Sequence, residues 1–251
     1  MHANQPIFEL KNVSRSFGTF AALSNINLKI WPGERVALTG PSGAGKSTLI
    51  NLLNGTLLPS RGEVWALDHN LANLNPKSLR HIQQKIGTIY QRFHLVDNLR
   101  VVHNVNAGNL GRWSFPKAIV SLFWPLEINR ATTALAQVGI PEKLYDRTDQ
   151  LSGGQQQRVA IARVLVQQPQ AILADEPIAS LDPERSREIM DLLRALSRKN
   201  GQTLVTSLHD IDFAQSHFNR IVGLREGKIL FDSAADDITP AMIEQLYKIT
   251  A

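Results

Sequence analysis

Three stretches of this 251-residue chain place polar residues where phosphate chemistry needs them. Gly40-Pro41-Ser42-Gly43-Ala44-Gly45-Lys46-Ser47-Thr48 fits G-x-x-x-x-G-K-[ST], the glycine-rich loop that cradles a nucleotide's phosphates. Its glycines let successive backbone N–H groups turn toward one anion, and a helix opening at Lys46 adds the positive end of its dipole. In such a loop Lys46 reaches the β- and γ-phosphates, Ser47 offers a hydroxyl to Mg²⁺, and Thr48 meets an α-phosphate. Ala171-Ile172-Leu173-Ala174-Asp175-Glu176 then supplies an apolar strand ending in two acids. The first, Asp175, faces the metal, and the second, Glu176, orients or deprotonates an attacking water. A third stretch, Leu151-Ser152-Gly153-Gly154-Gln155, puts a serine and two glycines at another helix start, a second place for an anion.

These residues need a scaffold that holds loop, acids and helix starts in register. Ile7–Val13, Asn27–Ile30, Arg35–Thr39 and Ile86–Tyr90 read as strands, with Trp31-Pro32-Gly33-Glu34 as a turn. Lys46–Asn54 reads as a helix with Gly55 at its C-terminal cap. From Phe93 to Val166 the pattern turns helical, including Arg130–Val138 before Gly139 and Gln155–Gln167 before Pro169. Strands return at Ala171–Ala174, Thr203–Ser207 and Arg220–Leu224, the first two separated by a long helix, Pro183–Asn200. Lys228–Phe231 follows the Glu226-Gly227 turn as a hairpin arm. Strands alternating with helices predict an α/β fold whose sheet is largely parallel, with the helical middle inserted into it.

Composition narrows the function classes. Hydrophobic residues make up 43% and charged residues 20%, a globular balance, and the absence of cysteine excludes thiolate zinc sites, iron–sulfur clusters and disulfides. The apolar runs are too short for a transmembrane helix, and the N-terminus lacks a signal peptide's pattern, so the chain is expected in the cytoplasm. The net charge of +5 suits nucleic acid, an anionic membrane face or a phosphate ligand equally well. Between Gly108 and Glu127, Trp113, Phe115, Phe123 and Trp124 cluster among Pro116, Lys117 and Pro125; a docking surface and a loop packed on its own lobe are both open readings.

With the glycine loop, Leu151–Gln155 and the paired acids in this order, the chain resembles the ATP-binding-cassette (ABC) ATPases from about Ile7 to Tyr247. The resemblance implies a RecA-like P-loop core with an N-terminal antiparallel β subdomain and an inserted α-helical subdomain. It places the core at about 1–92 and 167–251 and the helical subdomain at about 93–166. It further implies ATP and Mg²⁺ as cofactors, with Ser47, Gln91 and Asp175 at the metal. Gln91 resembles the Q-loop glutamine, Ser180-Leu181-Asp182 the D-loop, His209 the switch histidine at the γ-phosphate, and Phe17 the aromatic that stacks on adenine. In the implied mechanism two copies close head to tail, each ATP lying between Gly40–Thr48 of one and Ser152–Gln155 of the other. Lys46, Gln91, Glu176 and His209 would carry hydrolysis.

One cassette, no cysteine and no long coiled coil argue against the DNA-repair, chromosome-organising and ribosome-acting relatives, leaving a transporter motor with no nucleic-acid partner. Ala174–Pro183, Leu151–Arg163, Ser207-Leu208-His209 and Gly111–Trp124 are similar to the phosphonate importer ATPase family, which is related to phosphite and hypophosphite importers. The chain differs from it at Arg92, His94 and Asp210, where Gln, Asn and Gln are more usual. The resemblance implies a homodimer under two transmembrane permease subunits, served by a solute-binding protein and lying peripherally on the cytoplasmic face of the plasma membrane. The alternative is the ATPase of another polar-solute importer or of a small exporter.

Overall fold

The computed structural model describes residues 5–179 and 181–248. In chain order, β1 (Phe8–Phe17), β2 (Phe20–Ile30) and β3 (Arg35–Thr39) precede α1 (Lys46–Leu53), followed by β4 (Arg61–Ala66), β5 (His69–Asn70), α2 (Pro76–Gln83) and β6 (Ile86–Ile89). Four helices come next: α3 (Val101–Asn106), α4 (Phe115–Phe123), α5 (Ile128–Gln137) and α6 (Gly153–Gln167). The chain then runs through β7 (Ala171–Asp175), α7 (Pro183–Asn200), β8 (Thr203–Leu208), α8 (Ile211–His217), β9 (Arg220–Arg225), β10 (Lys228–Ala234) and α9 (Pro240–Tyr247).

The strands form two sheets, an antiparallel one ordered β2-β1-β4-β5 and a second ordered β10-β9-β3-β8-β7-β6. The second is parallel from β9 through β6, and only the β9–β10 hairpin runs antiparallel. The α/β class expected from the sequence is therefore the class observed. Strand β1 is longer than the Ile7–Val13 run because its alternation is broken. Register shifts between Leu10, Val13 and Arg15, together with left-handed Asn12, hide its second half from a period-of-two pattern. Strand β2 likewise begins at Phe20 rather than Asn27, interrupted by left-handed Asn25.

Helix α1 lies between the sheets and explains their arrangement. Its Leu49, Ile50, Leu52 and Leu53 are buried against Phe8, Leu10, Leu28 and Ile30 of the antiparallel sheet and Val36 and Leu38 of β3. Each such side chain taken out of water contributes about 1.5–3 kcal/mol, so the helix that starts at the glycine loop is pinned on both sides. A second apolar cluster runs without a break from Val101, Val105, Leu135 and Ile161 to Ile172, Leu193 and Leu208. Helices α3, α5 and α6 are thus packed continuously with the parallel sheet, whereas α4 contributes no residue to this cluster. Gln167 reinforces this joint, its amide donating to the carbonyls of Gln83, Gln84 and Ile86. No helix among the described residues is long and apolar enough to cross a membrane.

Candidate active site

The glycine loop leaves β3 at the C-terminal edge of the parallel sheet and enters α1. Gly40 has φ +145°, and a Cβ there would lie 2.0 Å from the Leu224 carbonyl oxygen. Gly45 has φ +103°, and a Cβ there would meet Leu23 Cδ2 at 2.7 Å and the Ala22 carbonyl at 2.8 Å. The loop is wedged between β9 and β2, and only glycine fits at these two points. Ala44 N donates to Pro41 O at 3.1 Å, and Gly227 N donates to Ala44 O at 3.2 Å, which ties the loop to the β9–β10 turn. Gly45 occupies the N-cap of α1 without any side-chain cap, so the first N–H groups of the helix have no competing side-chain acceptor at the cap. Pro41, Ser42 and Gly43 form the outer rim, Ser42 and Gly43 being exposed, and Thr48 is half-buried in the first turn.

Lys46 is the buried cation of the site, only 4% exposed. Its ammonium donates to Gly40 O at 2.6 Å and Pro41 O at 3.1 Å, and stands 3.4 Å from His209 Nδ1. Burial pulls the Lys46 pKa down, and the charges of Glu176 and Asp175 oppose that shift. Desolvated and held by carbonyls, Lys46 fits a multiply charged anion at the loop.

Asp175 ends β7, and its Oδ1 accepts from Ser47 Oγ at 3.0 Å and from Ser207 Oγ at 2.7 Å. Ser207 Oγ in turn accepts from Glu176 N at 2.8 Å. Glu176 is left-handed, with φ +47°, and its Oε1 lies 2.6 Å from His209 Nε2. That turn swings Glu176 away from the line of β7 toward His209. Ser47 and Asp175 are hard oxygen donors, the type Mg²⁺ prefers. Among the described residues no group of three or more His, Cys, Asp or Glu could hold a metal alone. The donor set therefore fits Mg²⁺ arriving with phosphate oxygens, not a cage built wholly of protein.

Five expected site residues, Lys46, Ser47, Asp175, Glu176 and His209, are linked by hydrogen bonds or close polar contacts; Gln91, Ser152–Gln155, Asp182 and Phe17 have no hydrogen bond or ion pair to them among the described residues. Gln91 lies in the exposed turn after β6, and among the described residues no hydrogen bond joins it to Ser47 or Asp175. Ser152, Gly153, Gly154 and Gln155 open α6 as a capping box. Ser152 Oγ accepts from Gln155 N at 3.3 Å, and Ser152 N donates to Gln155 Oε1 at 3.0 Å. No hydrogen bond or ion pair links them to Gly40–Thr48 among the described residues, and Ser152 and Gly153 are exposed. Asp182 caps α7, accepting from Arg185 N at 3.0 Å; that backbone bond holds its carboxyl below the usual range. Ser180 lies outside the described residues. Phe17 ends β1, is 45% exposed, and has the Arg15 guanidinium 4.6 Å from its ring centroid.

Several supporting residues were not anticipated. Ser207 was, in the sequence, one polar residue in a strand and carried no signal of its role. The Tyr247 hydroxyl donates to the His209 carbonyl, so α9 anchors the backbone of the histidine. Arg163 of α6 donates to Phe93 O at 2.6 Å and His94 O at 2.7 Å, holding two consecutive left-handed residues. Asp210 caps α8 by accepting from Phe213 N at 2.9 Å, which gives that departure from the usual Gln a structural use. A cavity of about 710 Å³ opens away from the glycine loop, between β6 and the helices that follow it. Arg80, Arg112, Arg163, His94 and Trp113 are among its lining residues, and among the described residues no carboxylate lines it.

A parallel sheet with a glycine loop at its edge, a metal-type Ser–Asp pair and a Glu–His contact beside it define a P-loop ATPase cassette. Residues 23–179 match the ABC transporter family, and the chain belongs to it. It is 44% identical to the phosphonates import ATP-binding protein PhnC of Lactobacillus delbrueckii subsp. bulgaricus, over 98% of this chain and 96% of that one. It is also 44% identical to PhnC 1 of Nostoc sp., over 97% and 92% of the two chains. Among solved structures, the dimeric post-hydrolysis state of the ATP-binding cassette MJ0796 with ADP and Pi superposes with a TM-score of 0.79 at 34% identity, covering 91% of this chain and 98% of that one.

Proposed function

We propose that the chain is the ATP-hydrolysing subunit of an importer for phosphonates or phosphite-like oxyanions. The near-full-length identity to proteins named for phosphonate import carries the substrate assignment. The convergence of Lys46, Ser47, Asp175, Glu176 and His209 supports hydrolysis. In this reading the N–H groups of Gly40–Thr48 and the Lys46 ammonium bind the triphosphate, and Phe17 stacks on adenine with Arg15 covering the ring's other side. Ser47, Asp175 and Gln91 would hold Mg²⁺, which would supply positive charge against the phosphate oxygens. Glu176 orients the water and withdraws its proton. His209, 2.6 Å away, fixes the carboxylate and reaches the γ-phosphate.

The exposed Ser152, Gly153 and Asp182 support a head-to-tail homodimer in which Ser152–Gln155 and Asp182 of each copy serve its partner's nucleotide. The resemblance divides the chain into a core at 1–92 and 167–251 and a helical subdomain at 93–166, and the four helices between β6 and β7 support that division. The cavity between them is the place for a permease segment. Its three arginines and lack of carboxylates suit an acidic segment. Two permease subunits and a solute-binding protein would complete the complex, with this chain peripheral on the cytoplasmic side. His94 in the cavity lining, where the family more often has Asn, favours a permease outside the usual set and keeps another polar-solute importer as the second reading.

In the test, the chain is reconstituted with its permease and binding protein, and ATPase stimulation is measured with phosphonate, phosphite and an amino acid. Stimulation by the amino acid alone would overturn the substrate. Glu176→Gln is expected to bind ATP normally and to lose turnover by about a thousandfold; near-normal hydrolysis would remove Glu176 from the mechanism.

A further inference from the structure

Helix α4 turns its apolar residues outward. Phe115, Phe123 and Trp124 are each more than 70% exposed, and Ile119, Val120 and Leu122 are also exposed, whereas Ser121 is buried with its hydroxyl on the Ala118 carbonyl. Along this face Trp124 alone carries an exposed hydrogen-bonding group that is not already tied down, since the Lys117 ammonium is held by Glu127 at 2.7 Å. Proteins rarely leave so many large apolar groups contiguous in water without a partner.

The surroundings say what that partner is. Between residues 107 and 137 there are three bases, Arg112, Lys117 and Arg130, and one acid, Glu127. Glu127 neutralises only one of the two bases it pairs with, Lys117 and Arg130. Among the described residues the partners of Arg112 are neutral, Gln168 Oε1 and the Val166 and Gln167 carbonyls. The adjoining cavity, whose lining includes Phe115 and Ala118, adds arginines and no carboxylate. A second copy of the same face would bring like charges together. A protein partner is expected to meet an apolar centre with hydrogen bonds at its rim, and the exposed α4 face offers almost none. Phe, Leu, Ile and Trp beside surplus cations is instead the composition of a helix that lies in the interface of a bilayer, with Trp at headgroup level.

We propose that the exposed face of α4, from Phe115 to Trp124, inserts shallowly into an anionic lipid surface. It would hold the cassette against the membrane beside the edge where the permease docks. The placement rests on the importer reading, but the binding itself does not require it. A nine-residue helix with two surplus charges gives weak, reversible binding that salt opposes.

The purified chain, without permease, is floated with vesicles of phosphatidylcholine and of phosphatidylcholine plus phosphatidylglycerol, at low and high salt. Flotation is expected with the anionic vesicles at low salt, and its loss at high salt. The double variant Leu122→Glu/Phe123→Glu, at exposed positions away from the glycine loop, should lower vesicle partition about tenfold or more and leave ATP binding unchanged. Failure of the wild-type chain to float, or equal flotation of the variant, overturns the proposal. So does a variant whose only defect is loss of capture by detergent-solubilised permease, because the patch then belongs to the permease. Vesicle binding together with a failed transport assay would support the α4 proposal and count against the importer reading alone.

Discussion

A single hydroxyl organises the acids of the site. Ser207 donates to Asp175 and accepts from the Glu176 N–H, so one side chain sets both the metal-type carboxylate and the left-handed turn that presents Glu176. Ser207→Ala leaves the part-buried Glu176 N–H without its partner and frees Asp175 from one donor. Turnover is expected to fall about tenfold to a hundredfold, with ATP affinity near wild type and a higher Mg²⁺ requirement. Ser207→Thr should restore most of the rate; steady-state ATPase titrated with Mg²⁺ reads both. Lys46 shows the opposite balance, function at the expense of stability. Its pKa is lowered by burial, so between that depressed value and the ordinary 10.5 the unfolded chain binds more protons than the folded one. In that window stability gains from Lys46 as pH rises. Lys46→Met, a neutral side chain of similar length, is expected to match or raise the melting temperature of the nucleotide-free chain at neutral pH and to abolish its rise with ATP.

At the scale of elements, the corner between α4 and α5 depends on one carboxylate. Glu127, with φ +50° at the start of α5, accepts from Lys117 at 2.7 Å, Arg130 at 2.9 Å and Trp113 Nε1 at 3.1 Å. The hydrogen bond from Lys117 is the largest influence holding its carboxyl below the usual range, despite an opposing desolvation. A depressed acid contributes stability above its unfolded pKa of 4.5 and loses it as pH falls through the lower folded value. Glu127→Gln is therefore expected to cost about 1 kcal/mol or less at neutral pH, the group being largely solvent-screened. The difference from wild type should vanish in acid, as read by urea denaturation across pH. Sequence patterning reached α1 and α7 nearly to the residue because their boundaries carry caps, Gly55 after α1 and Asp182-Pro183 before α7. It missed the second half of β1 and all of β4, where bulges and an exposed face break alternation.

For the whole molecule, the proposed head-to-tail dimer makes a complementation test decisive. Each site would use Lys46 of one copy and Ser152–Gln155 of the other, so Lys46→Ala and Gly154→Asp chains are each inactive as homodimers. Mixed, they form heterodimers in which one site carries both lesions and the other carries none. Turnover should reappear on mixing, to at most about a quarter of wild type for random pairing. A mixture that stays silent while heterodimers form would argue against that geometry.

Much of the candidate site was legible because its members announce themselves by local chemistry. A glycine loop must turn between a strand and a helix, and Asp175-Glu176 must end an apolar strand, so residue type and spacing alone were enough for Gly40–Thr48 and the acids. Gln91, Phe17 and His209 had no such local constraint and were reached only through resemblance. Tertiary structure decided what local pattern cannot encode. The parallel pairing of β7 with β8 brings Ser207 level with Asp175, and the return of α9 puts Tyr247 on the His209 carbonyl. It also decided that Phe115, Phe123 and Trp124 point outward, because helical periodicity identifies one face but not which side of it the core occupies.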